Sequence, residues 1–153
     1  SPAGLCGLIL CSSFARNPLP LLAPFRPAIR FAPVTALPMA LISFFVLGRF
    51  ATSSRRDSLA LALARVAPSV LRARASAALS VDVSALLQDI KVPMLYLRAS
   101  EDRVVPKPSS KLVESLVAAI RVVELTAPHF LLQVAPSQAA AVVANFMRNV
   151  DAH

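Results

Sequence analysis

Two apolar runs, each followed at once by a loop carrying an ionisable residue, constrain this chain more than any other feature. Met94-Leu95-Tyr96-Leu97 leads into Ser100-Glu101-Asp102-Arg103-Val104-Val105-Pro106, and Val122-Val123-Glu124-Leu125 leads into Thr126-Ala127-Pro128-His129-Phe130. Each run has the length and apolar continuity of a strand covered on both faces. Between them, Lys111 to Ala119 has helical spacing, with Ser109 and Ser110 ahead of it. Strand, helix and strand in this order predict parallel pairing through a right-handed crossover. Asp102 and His129 then sit just past the carboxyl ends of their strands, at the edge of an open parallel sheet where ligands and catalytic groups gather. An Asp and a His delivered there are two of the three groups of a nucleophilic triad.

The rest of the chain divides around that unit. Leu8 to Ser12 is a further continuous apolar run and reads as another strand. From Pro18 to Ser80 there is no strand signal. Pro18, Pro20, Pro24, Pro27 and Pro33 allow only short helical turns at first. Thr35 is the cap candidate for a helix with Pro38 in its first turn, ending near Gly48. Thr52-Ser53-Ser54 caps the next, over Arg56 to Ala67. Pro68 stops it and Ser69 restarts a helix to about Leu79, with Arg65, Arg72 and Arg74 on the polar side. Ser84 to Asp89 is a short helix. Ser137 is the cap candidate of a last one to about Val150, with Ala140, Val143, Ala144 and Met147 on one face.

Composition narrows the class. The 153 residues fit one domain, and 56% hydrophobic against 16% charged is enough apolar material for a substantial core. A net charge of +8 raises the question of nucleic acid. The arginines form no dense run and lack aromatic stacking partners, so solvated arginines on amphipathic helices are expected and no nucleic-acid partner is. Between Arg30 and Arg49 there is no charge, but Pro33 and Pro38 leave room for only about a dozen helical residues. A buried or lid helix is expected there rather than a membrane span. Cys6 and Cys11, placed on opposite faces by their spacing, read as two buried free thiols in a reducing compartment. The start shows no signal-peptide pattern, so the expected localisation is cytoplasmic.

Taken together, these residues resemble the closing half of an α/β-hydrolase. Lys91-Val92-Pro93-Met94-Leu95-Tyr96-Leu97 is similar to the strand leading to the family's triad acid. Glu101-Asp102 with Pro106 matches its Asp-x-x-x-Pro turn, which places the acid at Asp102. Pro128-His129-Phe130, followed by Pro136 and a helix, is similar to the histidine loop and last helix. Leu8 to Pro18 resembles the strand before the family's cap insertion. The resemblance implies a three-layer α/β fold of about three parallel strands with flanking helices. Its parts are a first strand and connection at 1–17, a helical cap-like insertion at 18–80, and an α/β part with the acid and histidine loops at 81–153. The family's nucleophile elbow, Gly-x-Ser-x-Gly, has no match: Gly4 and Gly7 bracket Leu5-Cys6, not a serine.

The expectation is therefore a hydrolase-like chain in which Asp102 orients His129 as general base. It would cleave small carboxylic or activated esters with water or with a surrogate nucleophile from Ser12, Ser13 or Cys11 at the end of the first strand. Strand-end hydroxyls that bond the backbone, and a packed thiol, are the plainer reading of those three. Phe14, Phe44, Phe45 and Phe130 are candidates to line an acyl pocket, although aromatic residues at helical spacing are commonly core. Asp102 has the alternative role of capping the following helix, and Glu101 reads as solvated. No cofactor or metal is expected, since His153 is terminal and leaves His129 few fixed partners. The alternatives are one part of a serine hydrolase whose nucleophile lies on a separate N-terminal half, or a non-catalytic oligomerising remnant. An uncharged edge at 8–12 is an arrangement soluble proteins avoid, so a homodimer or higher oligomer through it, or docking of a separate N-terminal half, is expected.

Overall fold

The computed structural model describes residues 4–29, 31–33 and 36–151; Thr35 and His153 lie outside them. The sheet has three strands in the order β1 (Leu8–Cys11), β2 (Met94–Ala99), β3 (Ile120–Leu125), all parallel. Leu8 lies opposite Met94, and Met94 opposite Ile120, so the strands start level, and β2 and β3 also end level at Ala99 and Leu125. β2 is central, and every residue in it except Arg98 is buried, as its unbroken apolar sequence requires.

The alternation of β2 side chains divides the core between two faces. Leu95, Leu97 and Ala99 point to one, where they join Cys11, Val123, Leu125 and the last helix, α8 (Pro136–Asp151). Met94 and Tyr96 point to the other, with Leu8, Leu10, Val122, Leu87 and Val113. Leu87 belongs to α5 (Ser84–Gln88), and Val113 to α6 (Lys107–Leu116). Helices on both faces of a parallel sheet make the three layers. Gly7 approaches α8 so closely that a Cβ there would lie 3.3 Å from the Phe146 ring.

Four more helices come from the segment between β1 and β2. They are α1 (Arg26–Ile29), α2 (Met39–Val46), α3 (Ser53–Ala64) and α4 (Pro68–Ala78), with 3-10 turns at Pro20–Phe25 and Gly48–Phe50. The segment leaves and returns at one neck. There Val83 N–H donates to Ala15 O (2.8 Å), Asn17 N–H donates to Val81 O (3.0 Å), and Arg16 pairs with Asp82 (2.9 Å). Thr52 caps α3, accepting from Arg55 N–H. Among the described residues no helix is long and apolar enough to cross a membrane. Both cysteines are free thiols, but neither is buried as expected: Cys6, ahead of β1, is exposed, and Cys11, at its end, is half-buried.

Several helix starts differ from those the sequence predicts, and proline is the common reason. α6 begins at Lys107 with Pro108 in its first turn, α4 at Pro68 and α8 at Pro136, so Ser109, Ser69 and Ser137 lie inside helices rather than ahead of them. A proline's fixed φ and missing N–H suit a first turn, which has no intrahelical acceptor for that N–H. Pro38 stands before α2, not in its first turn. A short helix, α7 (Leu131–Val134), follows the histidine loop where none was predicted. The face of α8 is also displaced by one residue: Ala139, Val142, Val143, Phe146 and Val150 meet the core, whereas Met147 is exposed. Phe146 decides this, because the flat ring fills the space above β2 and over Gly7.

At the carboxyl edge of the sheet, Tyr96 ties β2 to the chain leaving β1. Its hydroxyl donates to Ser13 O (2.6 Å) and accepts from Ser13 N–H (3.1 Å). Burial, the leading cause, pushes the phenol up to about 12, so it stays a neutral donor. Tyr96→Phe should cost roughly 1–3 kcal/mol in urea unfolding, since it orphans a half-buried carbonyl and N–H. Unchanged stability would show that the hydroxyl bonds contribute nothing net.

Candidate active site

Asp102 and His129 reach the same edge by different routes. Asp102 follows β2 in a tight turn, and its Oδ1 accepts from the N–H groups of Val104 and Val105, each at 2.8 Å. It therefore does not cap α6; it closes its own turn and aims its second oxygen outward. His129 follows β3 and Pro128, and its Nδ1 lies 3.0 Å from Asp102 Oδ2. The two loops are joined beneath the side chains, where Ser100 N–H donates to Leu125 O and Glu101 N–H to Ala127 O, both at 3.0 Å.

The electrostatics fix the tautomer. The Asp102 side chain is 6% exposed and that of His129 24%. Burial alone would raise the Asp102 carboxyl, but the His129 hydrogen bond and the Val105 and Val104 N–H groups outweigh it. The net effect holds the carboxyl below its ordinary 3.8. An ionised carboxylate only accepts, so Nδ1 carries the proton and the Nε2 lone pair is left for a proton from elsewhere. That is the geometry of a general base.

The strand-end residues are separated by their surroundings. Ser13 Oγ donates to Cys11 O (3.2 Å), a backbone bond that uses its hydrogen. Burial, with the Asp102 charge second, pushes the Cys11 thiol up, away from the reactive thiolate. Ser12 differs from both. Its backbone is left-handed (φ 43°), and its buried hydroxyl meets the Cys11 thiol but makes no hydrogen bond of good geometry among the described residues. It lines a cavity of about 40 Å³ together with Tyr96, Ser100 and Asp102. Among the described residues, none of the three hydrogen-bonds His129.

The phenylalanines are spread out. Phe44 and Phe130 front different cavities, of about 450 and 260 Å³. Phe45 meets Phe44 edge-on at 5.4 Å, and Phe14 is half-buried beyond β1. The charged neighbours of Asp102 were not legible in the sequence. Glu101, expected to be solvated, makes a two-oxygen pair with Arg49 (2.9 and 2.8 Å), and that hydrogen bond holds its carboxyl low. Arg103 stacks on the Phe44 ring at 4.2 Å. No sequence spacing announces such pairs, because their partners lie more than fifty residues away.

Solved structures that match this architecture include several hydrolases. The chain matches a thermophilic esterase from Thermogutta terrifontis at TM-score 0.80 and 18% identity, over 95% of this chain and 56% of the esterase. The fold is that of an α/β-hydrolase. An α/β-hydrolase from a Medee basin deep-sea metagenome library matches at TM-score 0.67 and 19% identity, over 91% of this chain and 55% of that one. The enol-lactonase from Burkholderia xenovorans LB400 matches at 0.70 and 19%, over 93% and 56%. The chain thus spans about half the length of these hydrolases. With a helical block ahead of an acid turn and a histidine loop, the correspondence is to an α/β-hydrolase's C-terminal half. No family model matches the sequence, and no curated protein matches it.

The depressed Asp102 carboxyl carries a stability consequence. Its contribution is fully present above 3.8 and is lost as pH falls through the lower folded value. Wild type should exceed Asp102→Asn by roughly 1–3 kcal/mol near neutral pH, and the gap should shrink in acid below that range. Urea titrations at both pH values check it; an equal gap at both would contradict the ionised, bonded carboxylate.

Proposed function

We propose that the chain works as a hydrolase of small carboxylic or activated esters, with His129 as general base and Asp102 as its orienting acid. The observation that carries this reading is the 3.0 Å contact between Nδ1 and a carboxylate whose other oxygen is already satisfied by two N–H groups. In the reaction, Nε2 takes a proton from water as the water oxygen bonds to the ester carbonyl carbon. Collapse of the adduct breaks the bond to the alcohol oxygen, which receives that proton, and the acid is released. Water is favoured over a side-chain nucleophile because Ser13 is spent on the backbone and Cys11 is held as a thiol. Ser12, whose hydroxyl lines the same cavity as Asp102, is the surrogate that remains.

Chromogenic-ester turnover by the purified chain should fall roughly 10²- to 10⁴-fold in His129→Ala. Retained turnover in that variant would overturn the assignment, and loss in Ser12→Ala as well would transfer the nucleophile's role from water to Ser12.

A second reading is favoured by the free side of β1. Among the described residues that strand pairs only with β2, Ile9 on it is 36% exposed, and a hollow of about 320 Å³ beside it is lined by Leu5, Cys6, Phe146 and Met147. We propose that this edge is covered by another polypeptide, either a second copy of the chain or an N-terminal hydrolase half that brings a serine nucleophile. Light scattering of the isolated chain should give twice its mass or more, and Ile9→Lys should lower it. A monodisperse single-chain mass excludes the second copy. Ester turnover that appears only on adding an N-terminal half identifies the other occupant.

A further inference from the structure

The corner that ends α2 touches both loops of the acid–base pair, and the reading above does not use it. Phe44 O, near the C-terminus of α2, accepts from Arg103 Nη1 (3.1 Å), and the Phe44 ring lies under the same guanidinium at 4.2 Å. Val46 O accepts from Phe130 N–H (3.2 Å). Arg49, three residues further on, grips Glu101. The contacts therefore fall on residues 101 and 103, on either side of Asp102, and on residue 130, next to His129.

The corner is itself held rigidly enough to act as a reference. Leu47 is 1% exposed, so the end of α2 is pinned into the core. Gly48 follows in the left-handed region (φ 54°), the conformation that ends a helix and turns the chain sharply. That turn is what brings Arg49 back over Glu101. The free carbonyls of a helix's last turn need donors, and here the acid turn and the histidine loop supply them.

We infer that the α2 corner is a clamp that sets the separation of Asp102 and His129, with Arg49 and Arg103 as positioning residues. Neither arginine touches the imidazole or the carboxylate; each acts through the loop it holds. The inference rests on the proposed acid–base role of the pair, but its test does not require turnover.

The readout is the low-field His129 Nδ1–H proton in NMR spectra of the whole chain, and its exchange with water. In Arg49→Ala/Arg103→Ala the proton should exchange about fivefold faster, the scale of one exposed ion pair and one carbonyl bond. Glu101→Gln alone, a milder surface change that leaves the fold's core untouched, should move it in the same direction. Arg16→Ala, which breaks an exposed pair at the neck, should not. Exchange unchanged in both clamp variants, even with lowered thermal stability, overturns the clamp. A missing low-field proton in wild type overturns the pair itself. An intact, clamp-sensitive proton without ester turnover supports the clamp and defeats only the proposed reaction.

Discussion

A carboxylate as enclosed as Asp102 stays ionised only if donors face both of its oxygens. The Val104 and Val105 N–H groups take Oδ1 and the imidazole takes Oδ2, which offsets the desolvation that would otherwise neutralise it. The same arrangement orients the imidazole, because an acceptor-only partner forces the proton onto Nδ1. The ionisation of the carboxylate and the orientation of the imidazole are thus two consequences of one set of hydrogen bonds.

That set depends on the sheet. Parallel strands in level register bring Asp102 and His129 to one edge. The backbone bonds from Ser100 and Glu101 to the end of β3 and the histidine loop extend the pairing past the last strand residues. Tyr96 extends it to the other side by holding Ser13. The segment between β1 and β2 then returns α2 to the same edge. Its buried Leu47 and left-handed Gly48 place a hydrogen-bonding corner against both loops.

The strands, their parallel pairing and the meeting of Asp102 with His129 were legible because they depend on short-range signals: apolar runs of strand length, each followed by an ionisable loop. Helix starts were less legible, since Ser69, Ser109 and Ser137 look like caps while the neighbouring Pro68, Pro108 and Pro136 suit a first turn better. The core face of α8 was ambiguous because alanines and valines occur around much of the helix, and only Phe146 settles it. The end of α2 near Gly48 was legible, but the contacts of that corner with the two loops left no trace in the sequence. Those contacts use main-chain carbonyls and a ring face, which any residue or any phenylalanine supplies. Ser12 was visible as a strand-end hydroxyl, but its left-handed backbone and its burial are properties of the folded chain alone.

The most direct test of the central claim is a double-mutant cycle in urea between Asp102→Asn and His129→Ala near neutral pH. Two side chains that share a charge-assisted hydrogen bond should show a coupling of roughly 0.5–3 kcal/mol. Strictly additive effects would mean that the carboxylate and the imidazole do not meet, and the account of this site would fail with them.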